Sequence, residues 1–506
     1  MEGRPRPGLF GGAGAPIVAA ISQVLFKAAA LIDTHLPTGT PLRIFMENVL
    51  LGARKGLLGT SSLPAEYTLQ NAIPVAGGYP YALTPGAAGS IWALTGTECC
   101  LWNGGNVGPV NGSLQQIANV NGAWTAQTPI GLLNNPWALT AGTDGKIWVA
   151  YPLSGAVQVI SNVDGVWTAQ TPIGGFDTPL ALQTGPDGTI YVANNGSSTV
   201  QQLSSAGTVL NTTRVIGGPV AMAYSEIDGS VWVSDAVQGS FLSQVVRAGL
   251  VQQISGGIPQ LPFTFDYTVG GGGLPTDGTT QPLTVGTDGT VWVLNPWQGP
   301  RPIVVDQPDV GFTCYSNCYV ALSPIADSTI SSAYFGVVTP GLDGSIWQIG
   351  GPGVQQILKV NGTWVPQTPI GGFNGSASVL TTATDGSVWV GTTAQAVQQL
   401  VVTPGAPRNV SVAGSTSVPG QLSVTWDAAV SGGTPVLGYT VSLQQGIQTW
   451  RYNTNSGARS GTFTVNPSGG AVTVSITATN LVGRGLAAVS SGVGQAAPCP
   501  LCSTTV

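Results

Sequence analysis

The chain has 506 residues, and only 7% are charged, against about 25% in ordinary soluble proteins. A net charge of −6 with 15 scattered basic residues excludes a nucleic-acid stripe and disfavours any polyanionic partner. Gly (73) and Pro (37), set among plentiful Val, Ile, Leu and Trp, exclude disorder and predict many short strands joined by tight turns.

Residues 1–64 read as a short N-terminal helical hairpin. Ile17, Ile21, Val24, Leu25 and Ala28 recur at three- and four-residue spacing. Pro37 interrupts them, and a second helix is predicted from Pro41 to Leu58. Its face carries Leu42, Phe45, Val49, Leu50 and Ala53. Gly, Pro and Lys27 break the apolar stretch, so neither an ordinary signal peptide nor a membrane span is expected. The stretch "PLRIFMENVLLGARKGLLG" resembles the N-terminal leaders of large exported mycobacterial proteins with propeller or Ig-like repeats. That resemblance implies envelope or peripheral membrane association through residues 15–58.

A repeat follows. Its core is Asp-Gly, one residue, Ile or Val, then an aromatic. The glycines are Gly89, Gly145, Gly188, Gly229, Gly289, Gly344 and Gly386. Three residues after each stands Trp92, Trp148, Tyr191, Trp232, Trp292, Trp347 or Trp389. All but the first copy carry Asp before the Gly; the first has Ala88. The shorter intervals match a four-stranded propeller blade of roughly 40–45 residues. Within a unit, "PWALTAG", "KIWVA", "AVQVI" and "GVWTAQTPI" read as four strands, with Asp-Gly as a type I′ hairpin turn. Trp points one way and Ile or Val the other, so both faces are apolar and each sheet needs a neighbour on either side. The last unit lacks a fourth strand, and "EYTLQNAIPVAGG" ahead of the first resembles one. A seven-bladed β-propeller over 65–403 is predicted, its last blade closed by a strand within 66–75.

After Pro404 the pattern changes, and residues 405–493 resemble a fibronectin type III sandwich, with Trp426 in the second strand and Tyr439 in the third. Val472 stands where that family places the tyrosine of its tyrosine corner. Residues 494–506 read as a flexible tail. The fold class is therefore all-β. Six cysteines fall as close pairs: Cys99/Cys100, Cys314/Cys318 and Cys499/Cys502. An even count in so lightly charged a chain suggests a secreted or cell-envelope protein, with Cys314, Cys318, Cys499 and Cys502 as disulfide candidates and free thiols as the alternative.

The repeat phrase resembles the streptogramin (virginiamycin B) lyase-like propeller family over residues 66–403. That resemblance implies a metal held partly by acidic residues and a general-base histidine in the central funnel. The chain's one histidine is His35, ahead of the repeat. The repeated Asp144, Asp187, Asp228, Asp288, Asp343 and Asp385 read as turn formers. No catalytic residue and no metal ligand is expected. Function then rests on binding, and long loops localise it. Trp102, Phe263, Phe265, Asp266, Tyr267 and Trp297 lie in the surplus residues of the longer repeats and are the candidate contacts. The expected partner is a protein or a carbohydrate at the cell surface, with no cofactor. Two alternatives stay open: a lyase-like or glycan-cleaving enzyme using carboxylates and a divalent metal, and a lectin-like sugar binder.

Overall fold

A computed structural model describes residues 67–97, 112–131, 135–236, 239–241, 244–246, 248–260, 263–266, 283–295, 299–305, 319–321, 338–350, 353–360, 363–415, 418–467 and 470–493. The expected helical hairpin and all six cysteines lie outside these residues. What is described is all-β, without an α-helix. The chain divides into two compact units. One is Asn71–Thr384 with Val388–Gln399; the other takes in Asp385–Ser387 and the chain from Leu400 onward.

Between Tyr67 and Val402 the described residues form seven antiparallel sheets of four or five strands. The second sheet is representative: Ala138–Ala141, Ile147–Tyr151, Ala156–Val163 and Val166–Ala169, paired in chain order. The first strands of the sheets are neighbours in a closed circle. Tyr79–Pro85 lies beside Ala138–Ala141, then follow Pro179–Thr184, Gly218–Tyr224, Leu283–Val285, Val338–Pro340 and Ala377–Thr382, which lies beside Tyr79–Pro85 again. Sheets running outward from a closed inner circle make a β-propeller. Tyr67–Leu69 and Ile73–Pro74 pair with Ala396–Val402, so the last sheet takes its outer strand from the start of the repeat region.

The repeated aromatic explains the stacking. Trp148, fully buried, packs forward onto Ile190, Val192 and Leu203 of the third sheet. Its chain neighbours Ile147 and Val149 pack backward onto Trp92 and Leu94 of the first. Trp389 of the seventh sheet packs onto Ile91 and Ile117 of the first, which completes the circle. A second tryptophan, in the fourth strand, meets the Trp of the preceding sheet edge-on. The pairs Trp92–Trp167, Trp124–Trp389 and Trp292–Trp364 have centroids 4.6, 4.7 and 4.6 Å apart. Such pairs contribute about 0.5–1.5 kcal/mol beyond their area burial.

Two local expectations differ from what is observed. The fourth strand is split: Val166–Ala169 pairs with the end of the third strand, and Ile173–Gly174 pairs separately with its start. Pro172 between them has no N–H for the ladder. A buried glutamine holds the break. Gln158 Nε2 donates to Gln170 O (2.8 Å), and Gln252 and Gln355 do the same to Gln260 O and Gln367 O, both at 2.7 Å. Gln115 Nε2 donates likewise to Gln127 O, and the same residue also accepts from the incoming connection, Gln115 Oε1 from Ala76 N, Gln252 Oε1 from Ile216 N and Gln398 Oε1 from Asn374 N.

The Asp-Gly turns are not type I′. Gly142 N donates to Lys146 O and Gly145 N to Gly142 O, with Gly145 alone left-handed at φ +82°. That is a three-residue loop, a type I turn followed by a left-handed residue. The cause is the Asp144 carboxylate, which accepts from Lys146 N at 3.1 Å and keeps its own backbone out of the left-handed region. The first copy has no such carboxylate, and there Ala88 and Gly89 are both left-handed, at φ +53° and +72°. Two consecutive left-handed residues, as in type I′, occur at Asp164-Gly165 (+51°, +85°), between the third and fourth strands.

The C-terminal sandwich pairs a three-stranded sheet (Ser411–Gly414, Gln421–Thr425, Ser460–Thr464) with a four-stranded one (Gly438–Gln445, Gln448–Asn455, Ala471–Thr479, Arg484–Val493). Leu422, Val424 and Phe463 from the first meet Tyr439, Val441, Leu443, Val474 and Ile476 from the second. Val472 is buried in that core, and Tyr439 supplies a tyrosine anchor from another strand, its hydroxyl accepting from Ala429 N at 3.2 Å. Asn480, also fully buried, donates to Val402 O and Ser431 O (2.8 Å each) and accepts from Val482 N and Gly483 N.

The turns interlock around the ring. Gly188 (φ +81°) leaves room for the Thr143 hydroxyl, which would stand 2.8 Å from a Cβ added there; a Cβ on Gly165 (φ +85°) would meet nothing within 4 Å. Both Gly→Ala variants force a left-handed alanine, at a cost of about 1–2 kcal/mol. Gly188→Ala should lose clearly more stability than Gly165→Ala in urea unfolding, and equal losses would show that the crowding between turns carries no weight.

Candidate functional site

The repeat closes one face of the ring with tight turns and leaves the other to the second-to-third loops and the sheet-to-sheet connections. The inner strands enter from that second face through a shared distortion. Register shifts fall between Pro80 and Ala82, Pro179 and Ala181, Pro219 and Ala221, and Ala377 and Val379. Each is a bulge, and the extra residues are Tyr81, Leu180, Val220 and Ser378. In the second sheet Trp137 holds the same place, its N–H donating to Ala150 O, opposite Ala138. At three of the bulges the first residue is a proline, Pro80, Pro179 or Pro219, which offers no N–H to the neighbouring strand, whereas the last has Ala377 in that place. Bulges re-aim side chains and recur beside active sites.

Here they bring side chains of successive sheets together. Trp137 packs against Leu180 and Val220, so three consecutive inner strands meet in one apolar arc. The other arc is polar: Ser378 Oγ donates to Pro80 O and Tyr81 Oη to Pro136 O, both at 2.8 Å. Burial raises the Tyr81 phenol well above its ordinary range, so it stays a donor. Asn195 Nδ2 reaches Pro219 O at 3.4 Å. Beside the arc Thr178 has φ +54°, a strained backbone for a β-branched residue. Its carbonyl accepts from Asn195 N, and the Asp177 carbonyl from Gly196 N, both at 3.1 Å. Trp137 and Tyr81 are half-buried, while Leu180 and Val220 are buried. The result is an aromatic and aliphatic patch, rimmed by carbonyls that already hold donors.

None of the residues expected from sequence is among those described at this patch. Trp102, Tyr267 and Trp297 are outside the described residues. Phe263, Phe265 and Asp266 sit in the strand Phe263–Asp266, which pairs with Ala248–Val251 of the fourth sheet rather than in a free connection. Alternating aromatics suit a strand. Sequence reasoning missed Tyr81, Trp137, Leu180, Val220 and Ser378. The signal was present as "PYAL", "PWAL", "PLAL" and "PVAM", one at the head of each of the first four units.

The turn aspartates are committed to their own turns. Asp187, Asp228, Asp343 and Asp385 each accept from the backbone and hydroxyl of the residue two on, and Asp228 and Asp343 also from Gln253 and Gln356. Lys359 bonds Asp288 at 2.9 Å, and Lys146 bonds Asp144 at 2.6 Å. Among the described residues no three His, Cys, Asp or Glu side chains gather as a metal would need. The turn carboxylates, bound into their own turns, do not form a divalent-metal centre.

No family model and no curated protein sequence matches this chain. Solved structures similar to it include a streptogramin B lyase (15% identity, TM-score 0.47), spanning 67% of this chain and 100% of that one. A selenomethionine-substituted virginiamycin B lyase from Staphylococcus aureus is similar at 14% identity and TM-score 0.46, over 66% and 99%. The WD40 propeller domain of Doa1 is similar at 11% and 0.46, over 66% and 96%. Nothing about this chain's chemistry follows from likeness at that level.

The turn carboxylates set an acid limit. The Thr189 hydroxyl bonded to Asp187 holds its carboxyl low, against burial. Burial pushes Asp228 and Asp288 up, but bonds from Ser225 and Ser230, and from Lys359 and Thr290, outweigh it and leave both low. A carboxyl lowered by folding stabilises above its unfolded pKa, about 3.9, and loses that contribution as pH falls through its folded value. The melting temperature should therefore hold from pH 7 to about 5 and fall below about 4. Asp187→Asn with Asp228→Asn should flatten that fall, and an unaltered acid profile would remove these turns as its cause.

Proposed function

We propose that this chain is a non-catalytic binding or scaffold protein, secreted or held at the cell envelope. It consists of a seven-bladed β-propeller joined to a fibronectin type III-like module. The carrying observation is the meeting of Trp137, Leu180 and Val220 at the inner circle of the loop-rich face, with Tyr81 and Ser378 turned to backbone carbonyls. An aromatic presented by a rigid ring, with few charges around it, suits a protein or carbohydrate ligand. The carboxylates that could run acid-base chemistry on the turn face are tied into their turns, which supports binding over catalysis.

A sugar site in every blade is disfavoured. The residues at this place differ among five of the sheets, Tyr81, Trp137, Leu180, Val220 and Ser378, so these sheets do not repeat one sugar site. Low charge and an even cysteine count support export.

Trp137→Ala should keep the melting temperature within a few degrees while lowering binding to glycan- or protein-array ligands about tenfold. Equal binding by both proteins would eliminate the axial site. Mass spectrometry of the native protein should find it outside the cytosol, and intact reduced chain in the cytosol would sink the export claim.

A further inference from the structure

Net charge is divided unevenly along the chain. Residues 67–403 hold sixteen acids and five bases, a net −11. Residues 405–493 hold Arg408, Arg451, Arg459 and Arg484 against Asp427 alone, a net +3. Asp427 is itself engaged, accepting from Asn409 Nδ2 at 2.6 Å. The expectation that polyanions are disfavoured came from the whole-chain sum. Screening at physiological salt confines a charge's influence to about 8 Å, so recognition answers to the local arrangement.

Two of the arginines share the outer face of the four-stranded sheet. Its inner face is the sandwich core, and its outer face follows by alternation. One row across the strands is Arg451–Ser442–Ser475, and the next is Asn453–Thr440–Thr477. Arg484 reaches over the second row, its Nη2 donating to Thr440 Oγ1 at 3.1 Å, while Thr440 Oγ1 donates to Asn453 Oδ1 at 2.9 Å. Arg484 itself stands on the far edge strand, three strands over from Arg451, but the hydroxyl holds its guanidinium at Thr440, whose backbone is one strand over and two residues along from that of Arg451, roughly 8 Å away. Both arginines are exposed. The other two are placed differently: Arg459 lies over the Tyr439 ring and donates to the carbonyls of Ser456 and Ala458, and Arg408 precedes the first strand of the other sheet.

We propose that this face binds an acidic polysaccharide. A guanidinium matches a carboxylate in paired hydrogen bonds. The bed between the two arginines is hydroxyl and amide, which suits the hydroxyls of a sugar chain. It lacks the aromatic and methionine side chains that anchor protein partners. The site is independent of the axial one, so either can fail without the other.

The test uses the full chain and a homopolymer of uronic acid, followed by calorimetry at low and physiological salt. Wild type should bind the polyuronate and not neutral dextran, more weakly as salt rises. Arg451→Gln with Arg484→Gln should weaken binding about tenfold with an unchanged melting temperature, and Arg408→Gln should leave it within about twofold. Absence of binding, or equal weakening by Arg408→Gln, would overturn the proposal. So would equally tight binding of poly-glutamate, which would point to an acidic protein. Salt-sensitive self-association lost in the Arg451/Arg484 variant, without polyuronate binding, would overturn it in favour of a second copy's acidic ring.

Discussion

Trp148 buries its indole against the sheet ahead while Ile147 and Val149 bury theirs against the sheet behind. A strand that is apolar on both faces cannot end a stack, because the last exposed face would leave several large side chains in water. Each buried tryptophan would cost about 3–5 kcal/mol to truncate, so an open row would lose much of the stability of a domain. Closing the row removes the problem, and Trp389 on Ile91 is where it closes. The fourth-strand tryptophans add a second, outer contact between the same neighbours, so each joint is held at two radii.

Closure also depends on polar groups that hydrophobic patterning does not show. The inner circle needs the chain to leave one sheet and enter the next through a short connection with unpaired backbone groups. Gln115, Gln252 and Gln398 accept from such connections, and Gln115, Gln158, Gln252 and Gln355 bridge the break in the outer strand. The spacing was visible in three copies as a glutamine in the third strand and another twelve residues on, at Gln115/Gln127, Gln158/Gln170 and Gln355/Gln367. A glutamine in a strand carries no signature of its own, since its role depends on which carbonyl lies across the sheet.

Strands and turn positions were legible because they rest on local chemistry: an apolar pair after Asp-Gly is a hairpin in any context. The turn type was not, because the pairing of a carboxylate with the N–H two residues on outranked the intrinsic preference of the dipeptide. The axial site was hidden for a related reason. Long loops draw attention to function, and Trp102 or Trp297 stand out there. Trp137 sits in what reads as the head of an ordinary strand, and only the paired strand shows its N–H bonded to Ala150 O just ahead of the Ala138–Ala150 pair. Repetition gave the clue and concealed it together, since "PYAL" and "PWAL" look like more of the scaffold until their second residues are compared.

Charge shows the same limit at the scale of the whole chain. The whole-chain −6 adds an acidic ring at −11, a basic sandwich at +3 and a net +2 from residues 1–66, and no part behaves as the sum does. In the ring, the acidic turns are held by bonds to hydroxyls, backbone and two lysines, so their charge supports the fold. In the sandwich, a single acid is bonded to Asn409, and two arginines stand on a sheet whose alternation leaves hydroxyls outward. A side chain that stabilises its own turn and one held in the open by a neighbouring threonine carry equal weight in a composition. Only the partner of each charged group separates scaffold from surface, and that is where the two units differ.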